Sequence, residues 1–217
     1  MVQEAHSANL KFTKEDHLDY LLFLPEAYRQ RKKWPLILFL HGAGERGSEL
    51  DLVKAYGLPN RLEAWPECPF IVLSPQCPAE SYWTFKLESV RALLDQIDEM
   101  YAVDSERIYV TGLSMGGLGT WLLSMIYPHR FAAIAPVSAR ANRTTACLIK
   151  DMPIWIFHGE RDDVVPVSES QKMYAALQEC AAPEVKFTVY PDAGHDQWEK
   201  TYANPELYDW FLAHQRR

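Results

Sequence analysis

Short apolar runs alternate along this chain with longer stretches whose apolar positions recur every three or four residues. Leu18 to Leu24, Leu36 to Leu40 (entered through Pro35), Phe70 to Leu73, Arg107 to Thr111, Phe131 to Val137, Ile154 to Phe157 and Val185 to Tyr190 read as strands. Helical spacing places Leu87, Val90, Leu94, Ile97 and Tyr101 on one face of a stretch from about Lys86 to Tyr101. The same spacing groups Leu118, Trp121, Leu122, Met125 and Ile126, and further helices are expected at Ser168 to Gln178 and Pro205 to His214. This β-α-β-α order predicts an α/β protein with a mostly parallel central sheet and helices on both faces. Only fifteen residues separate Val137 from Pro153, too few for a helical lid domain. One lidless domain over residues 1–217 is the expectation.

Composition narrows the partners. With 48% hydrophobic and 24% charged residues the balance is that of an ordinary globular protein. A formal net charge of −7 argues against nucleic acid, which asks for a basic face, and Arg29 to Lys33 reads as a solvated loop. No apolar stretch reaches the roughly 20 residues needed to span a bilayer. Met1 to Ser7 lacks the basic and apolar regions of a signal peptide, so a cytoplasmic location is expected. Four cysteines (Cys68, Cys77, Cys147, Cys180) are too scattered for a disulfide scaffold, and no C-x-x-C spacing suggests a metal. Cys68 and Cys77 could pair across a loop, but reduced thiols are expected. No cofactor is called for.

Gly112-Leu113-Ser114-Met115-Gly116 lies between a strand-like and a helix-like run. A serine on such a strand-to-helix turn is forced into a strained backbone conformation, with its hydroxyl at the mouth of the sheet and the first helical turn's N–H groups beside it. The bare pentapeptide arises by chance in about one chain in fifteen of this length at average glycine and serine usage. Its partners therefore decide its meaning. A serine hydroxyl needs a base, and an imidazole base needs a carboxylate to fix its tautomer. His195 follows the last strand in a glycine-bearing loop, after the other candidate parts in chain order. The other histidines read as solvated (His6, His17, His129, His214) or as loop-bonding structural residues (His41, His158). Asp162 lies just beyond the Ile154 to Phe157 strand, with Asp163 and Glu160 as competitors. The glycine-rich turn His41-Gly-Ala-Gly-Glu-Arg-Gly47 can present backbone N–H groups. Ala43 and Met115 are the expected donors to an oxyanion, with Gly44 the near alternative. Gln76, Trp83 and Trp198 are candidates for lining the cleft.

These segments resemble those of α/β-hydrolases, in particular cap-less carboxylesterases and predicted peptidases related to dienelactone hydrolases, feruloyl esterases and the prolyl oligopeptidase catalytic domain. The residues that carry the resemblance are 41–47, Ser-Pro-Gln-Cys-Pro at 74–78 with Trp83, Gly-Leu-Ser-Met-Gly-Gly at 112–117, His-Gly-Glu-Arg-Asp-Asp-Val-Val-Pro at 158–166 and Gly-His-Asp-Gln-Trp at 194–198. The resemblance implies a catalytic triad of Ser114, Asp162 and His195, and favours Asp162 over Asp163. It implies hydrolysis of small or aromatic carboxylic esters through an acyl-enzyme intermediate. A serine peptidase or acyl-protein thioesterase is the alternative enzyme, and a non-catalytic binding module the alternative of another class. The expected partner is a small ester, with no nucleic acid and no membrane, in a monomer or small homo-oligomer.

Overall fold

The structure, a computed structural model, describes residues 3–10 and 16–216; Met1 and Val2 of the stretch read for a leader lie outside them. Its centre is an eight-stranded sheet in the order β1-β2-β4-β3-β5-β6-β7-β8. The strands are β1 (Glu4–Leu10), β2 (Asp16–Phe23), β3 (Trp34–Leu40), β4 (Ile71–Pro75), β5 (Val103–Leu113), β6 (Ala133–Val137), β7 (Ile154–Gly159) and β8 (Val185–Tyr190). β1 pairs antiparallel with β2 and β2 with β4; every other neighbouring pair is parallel. Each strand predicted from an apolar run is present. β1 adds one that the sequence reading passed over, because its Ala-His-Ser-Ala-Asn sequence is polar and sits at the sheet edge. Pro35 cannot donate to the ladder, and the β3–β5 register shifts between Trp34 and Leu36.

The central strands read as unbroken apolar runs because both faces of the sheet are covered. Alternation along each strand sorts the side chains. Leu36, Leu38 and Leu40 of β3, with Ile154 and Ile156 of β7, enter one core. That core also takes residues of α2 (Leu87–Met100), α3 (Met115–Ile126) and α4 (Ser168–Glu179). Ile37 and Phe39, with Trp155 and Phe157, face the other core. There they meet α1 (Gly57–Leu62), α5 (Trp198–Ala203) and α6 (Pro205–Leu212). Between β6 and β7 the chain makes only a 3-10 segment, Arg143–Ile149, and no lid domain is inserted among the described residues.

Cys147 and Cys180 form a disulfide, correcting the expectation of reduced thiols. The fold brings these distant positions to a Cα separation of 5.3 Å, pinning the Arg143–Ile149 segment to the end of α4. Cys68 and Cys77 remain free and buried, and burial pushes their thiols up to about 12 and about 11, which leaves them unreactive. Closing a loop of this length stabilises a fold by about 2–4 kcal/mol. Reduction should therefore lower the melting temperature by roughly 5–15 °C at this chain length. Thermal melts with and without reductant check this; coincident melts would contradict it.

Candidate active site

The Gly-x-Ser-x-Gly segment is the junction of β5 and α3. Ser114 takes φ 53° and ψ −114°, a strained turn that a non-glycine residue holds only when its surroundings enforce it. Here Ser114 N–H donates to Val137 O at 2.9 Å, and Ser114 O accepts from Leu118 N–H at 3.1 Å. Gly116 is glycine for want of room, since a Cβ there would lie 1.9 Å from Leu40 O and 2.7 Å from His41 O. That close approach sets the His41–Gly47 loop against the Ser114 turn. The first-turn N–H groups of α3, Met115's among them, have no carbonyl to meet inside the helix.

His195 reaches Ser114 from the loop after β8. Its Nε2 lies 2.9 Å from Ser114 Oγ and its Nδ1 2.7 Å from Asp162 Oδ2. The imidazole is 15% exposed, while the Asp162 side chain is fully buried. Asp162 Oδ1 accepts the Val164 and Val165 N–H groups at 3.0 and 2.7 Å. A buried carboxylate remains tolerable only when its lone pairs are used in this way. Asp163 and Glu160, the competing carboxylates, are exposed. The two loops are held together at Gly159, where a Cβ would lie 2.2 Å from Gly194 O.

The loop after β3 is fastened by side chains whose part the sequence reading missed or misassigned. Glu45 Oε2 accepts Gly42 N–H at 2.7 Å, and Arg46 donates from Nε to Ala43 O at 2.9 Å and from a terminal nitrogen to Ser81 O at 3.1 Å. His41 is the loop-bonding residue expected of it. Its Nδ1–H donates to Gly42 O at 2.6 Å and its Nε2 accepts from Cys77 N–H at 2.9 Å. Burial brings its pKa down to about 4, so it stays neutral in this role. Two cleft candidates need correction. Trp83 is fully buried and donates from Nε1 to His41 O at 2.9 Å, beneath the loop. Gln76 is 2% exposed and donates to Glu45 O and Glu49 O, both at 2.9 Å. Both are buried and brace the loop. Trp198 does stand at the site, edge-on to His195 with ring centroids 5.2 Å apart and half-exposed Tyr56 edge-on to it in turn at 6.2 Å. His214, read as solvated, instead packs on Trp210 and faces Glu184.

A separate cleft of about 500 Å³, lined by Arg61, Trp65, Tyr202 and Tyr208 among others, shares no residue with this constellation.

The phospholipase/carboxylesterase family profile matches residues 78–204. The chain belongs to that family. Among solved structures it is similar to a thermostable esterase at 34% identity and a TM-score of 0.85, over 99% of this chain and 63% of that one. Carboxylesterase SOBER1 of Arabidopsis thaliana is 27% identical over 191 residues, 73% of this chain and 82% of the relative. The bifunctional acetylxylan esterase/xylanase XynS20E of Neocallimastix patriciarum is 28% identical over 124 residues, 56% of this chain. The match spans only 17% of that relative's length.

Proposed function

We propose that this carboxylesterase-family protein hydrolyses small or aromatic carboxylic esters, with Ser114 as nucleophile, His195 as general base and acid, and Asp162 as the carboxylate that orients His195. One observation carries the reading. An unbroken line of hydrogen-bond distances runs from Ser114 Oγ through His195 to Asp162, on a turn whose strain exposes the hydroxyl. In acylation His195 Nε2 takes the Ser114 proton as Oγ attacks the ester carbonyl. The proton then passes to the departing alkoxide, and the alcohol leaves. A water deprotonated by the same nitrogen releases the acid and restores Ser114. The negative oxygen of each tetrahedral intermediate is assigned to the Ala43 and Met115 N–H groups. The bracing of the Ala43 peptide by Arg46 supports that assignment.

Trp198 and Tyr56 form an aromatic wall beside His195, and the absence of a lid domain among the described residues leaves the mouth open. Both favour short acyl or aromatic esters over long lipid chains. A p-nitrophenyl ester series from acetate to long acyl, with feruloyl esters and peptide amides, tests this. Short and aromatic acyl groups should give the highest kcat/KM; preference for long acyl chains or for amides would overturn the reading. No helix among the described residues is long and apolar enough to cross a membrane. We further infer from the Cys147–Cys180 disulfide that the protein works in an oxidising compartment rather than the cytoplasm.

A further inference from the structure

His158 is the penultimate residue of β7 and is fully buried. Its Nε2 lies 2.8 Å from Val165 O and 3.1 Å from Asp162 Oδ2, the same oxygen that faces His195. Two acceptors opposite one nitrogen require that nitrogen to carry the proton, and a bare lone pair there would be repelled by both. On the far side of the ring, Nδ1 lies 2.7 Å from Ser170 Oγ in the first turn of α4. Ser170 has one hydroxyl proton and two acceptors, Nδ1 at 2.7 Å and Ala139 O at 3.4 Å; the shorter approach gives the proton to a bare Nδ1, so the two ends of the ring agree on one tautomer. Asp162 thus receives four donors, namely two backbone N–H groups on Oδ1 and two imidazoles on Oδ2.

We propose that His158 is a positioning residue for the Asp162–His195 pair, and that Ser170 sets its tautomer, so that Ser170, His158, Asp162, His195 and Ser114 form one hydrogen-bonded line. The proposal rests on the esterase reading of Ser114. Its physical content is twofold. The shared Nε2–H adds a second donor to the carboxylate oxygen that faces His195, which holds the carboxylate in place when His195 becomes charged. It also neutralises part of the carboxylate's charge, which limits how strongly Asp162 stabilises the His195 imidazolium. The titratable groups facing His158 are Asp162 and His195; Ser170 and the Val165 carbonyl complete its surroundings. Burial holds the His158 pKa below the ordinary histidine range, consistent with a neutral ring.

The test combines ring-nitrogen NMR of the ¹⁵N-histidine-labelled protein with pH profiles of His158→Phe, His158→Gln and Ser170→Ala. In the wild-type protein His158 should be neutral with its proton on Nε2. An imidazolium or an Nδ1–H tautomer would overturn the proposal, whatever the activity. In His158→Phe, kcat should fall about ten- to a hundredfold, the scale of one hydrogen bond to a charged group. KM should stay near wild type, and the acid limb of kcat/KM should move upward, because Asp162 then faces His195 with more of its charge. His158→Gln, whose amide can still donate toward Asp162, should return the limb toward wild type. A limb that stays in place in folded His158→Phe, or is displaced equally in His158→Gln, overturns the proposal. Should His158→Phe fail to fold, Ser170→Ala carries the same test by removing one hydroxyl. It should move the limb the same way by less, and an unmoved limb refutes the line. Failure of the esterase reading looks different: the wild-type protein itself would not turn over esters.

Discussion

Asp162→Asn should lower kcat by about 10⁴, the scale seen when a triad carboxylate becomes an amide and its histidine takes the wrong tautomer. The reason lies in what Asp162 accepts. Oδ1 takes the Val164 and Val165 N–H groups, and Oδ2 faces His195 Nδ1 and His158 Nε2. An amide has one oxygen and one NH₂, so one side of the residue must present donors to donors. If the NH₂ faces His195, the imidazole turns its bare nitrogen toward residue 162 and its N–H toward Ser114, where it can no longer remove a proton. KM should change little, since Asp162 does not reach the mouth. Asp163→Asn is the matched control: Asp163 is exposed, and its loss should leave kcat within a few-fold of wild type. Steady-state kinetics on both variants, with circular dichroism to show that each is folded, decides between the carboxylates. A collapse in Asp163→Asn with activity retained in Asp162→Asn would reverse the assignment.

The second large effect is expected at the nucleophile. Ser114→Ala removes the oxygen 2.9 Å from His195 Nε2 and should cost on the order of 10⁶ in kcat, leaving ester turnover near background. Folding should survive, because the turn is held by backbone bonds to Val137 and Leu118 and by the close packing at Gly116 rather than by the hydroxyl. Alanine must still adopt the positive φ of this position, a strain the wild-type serine already bears. The variant's melting temperature should therefore lie close to wild type. A folded variant that retains turnover would place the chemistry elsewhere.

Much of this was legible before the fold was known, and the reasons can be given residue by residue. The central strands announce themselves because β3 and β7 are buried on both faces and must be apolar at nearly every position. β1 is half-polar and lies at the edge, and α1 and α5 are six residues each, too short for periodicity to register. Ser114, Asp162 and His195 stood out because each follows a strand at the same end of the sheet. The errors concern where side chains point. Gln76 and Trp83 follow β4 toward the mouth of the sheet, but their hydrogen bonds turn them under the His41–Gly47 loop. Cys147 and Cys180 meet only because α4 packs on the Arg143–Ile149 segment, a contact no spacing rule contains. His158 was read correctly as bonding loop backbone, through Val165 O. Its second contact, with Asp162, depends on how the three intervening residues curl back over the ring.

The central claim is that Ser114 is the nucleophile, and covalent labelling with a fluorophosphonate followed by peptide mapping tests it most directly. The account predicts a single adduct on Ser114, formed slowly in Asp162→Asn and absent from Ser114→Ala. An adduct on any other residue, or ester turnover that continues in a protein the probe does not label, would contradict it.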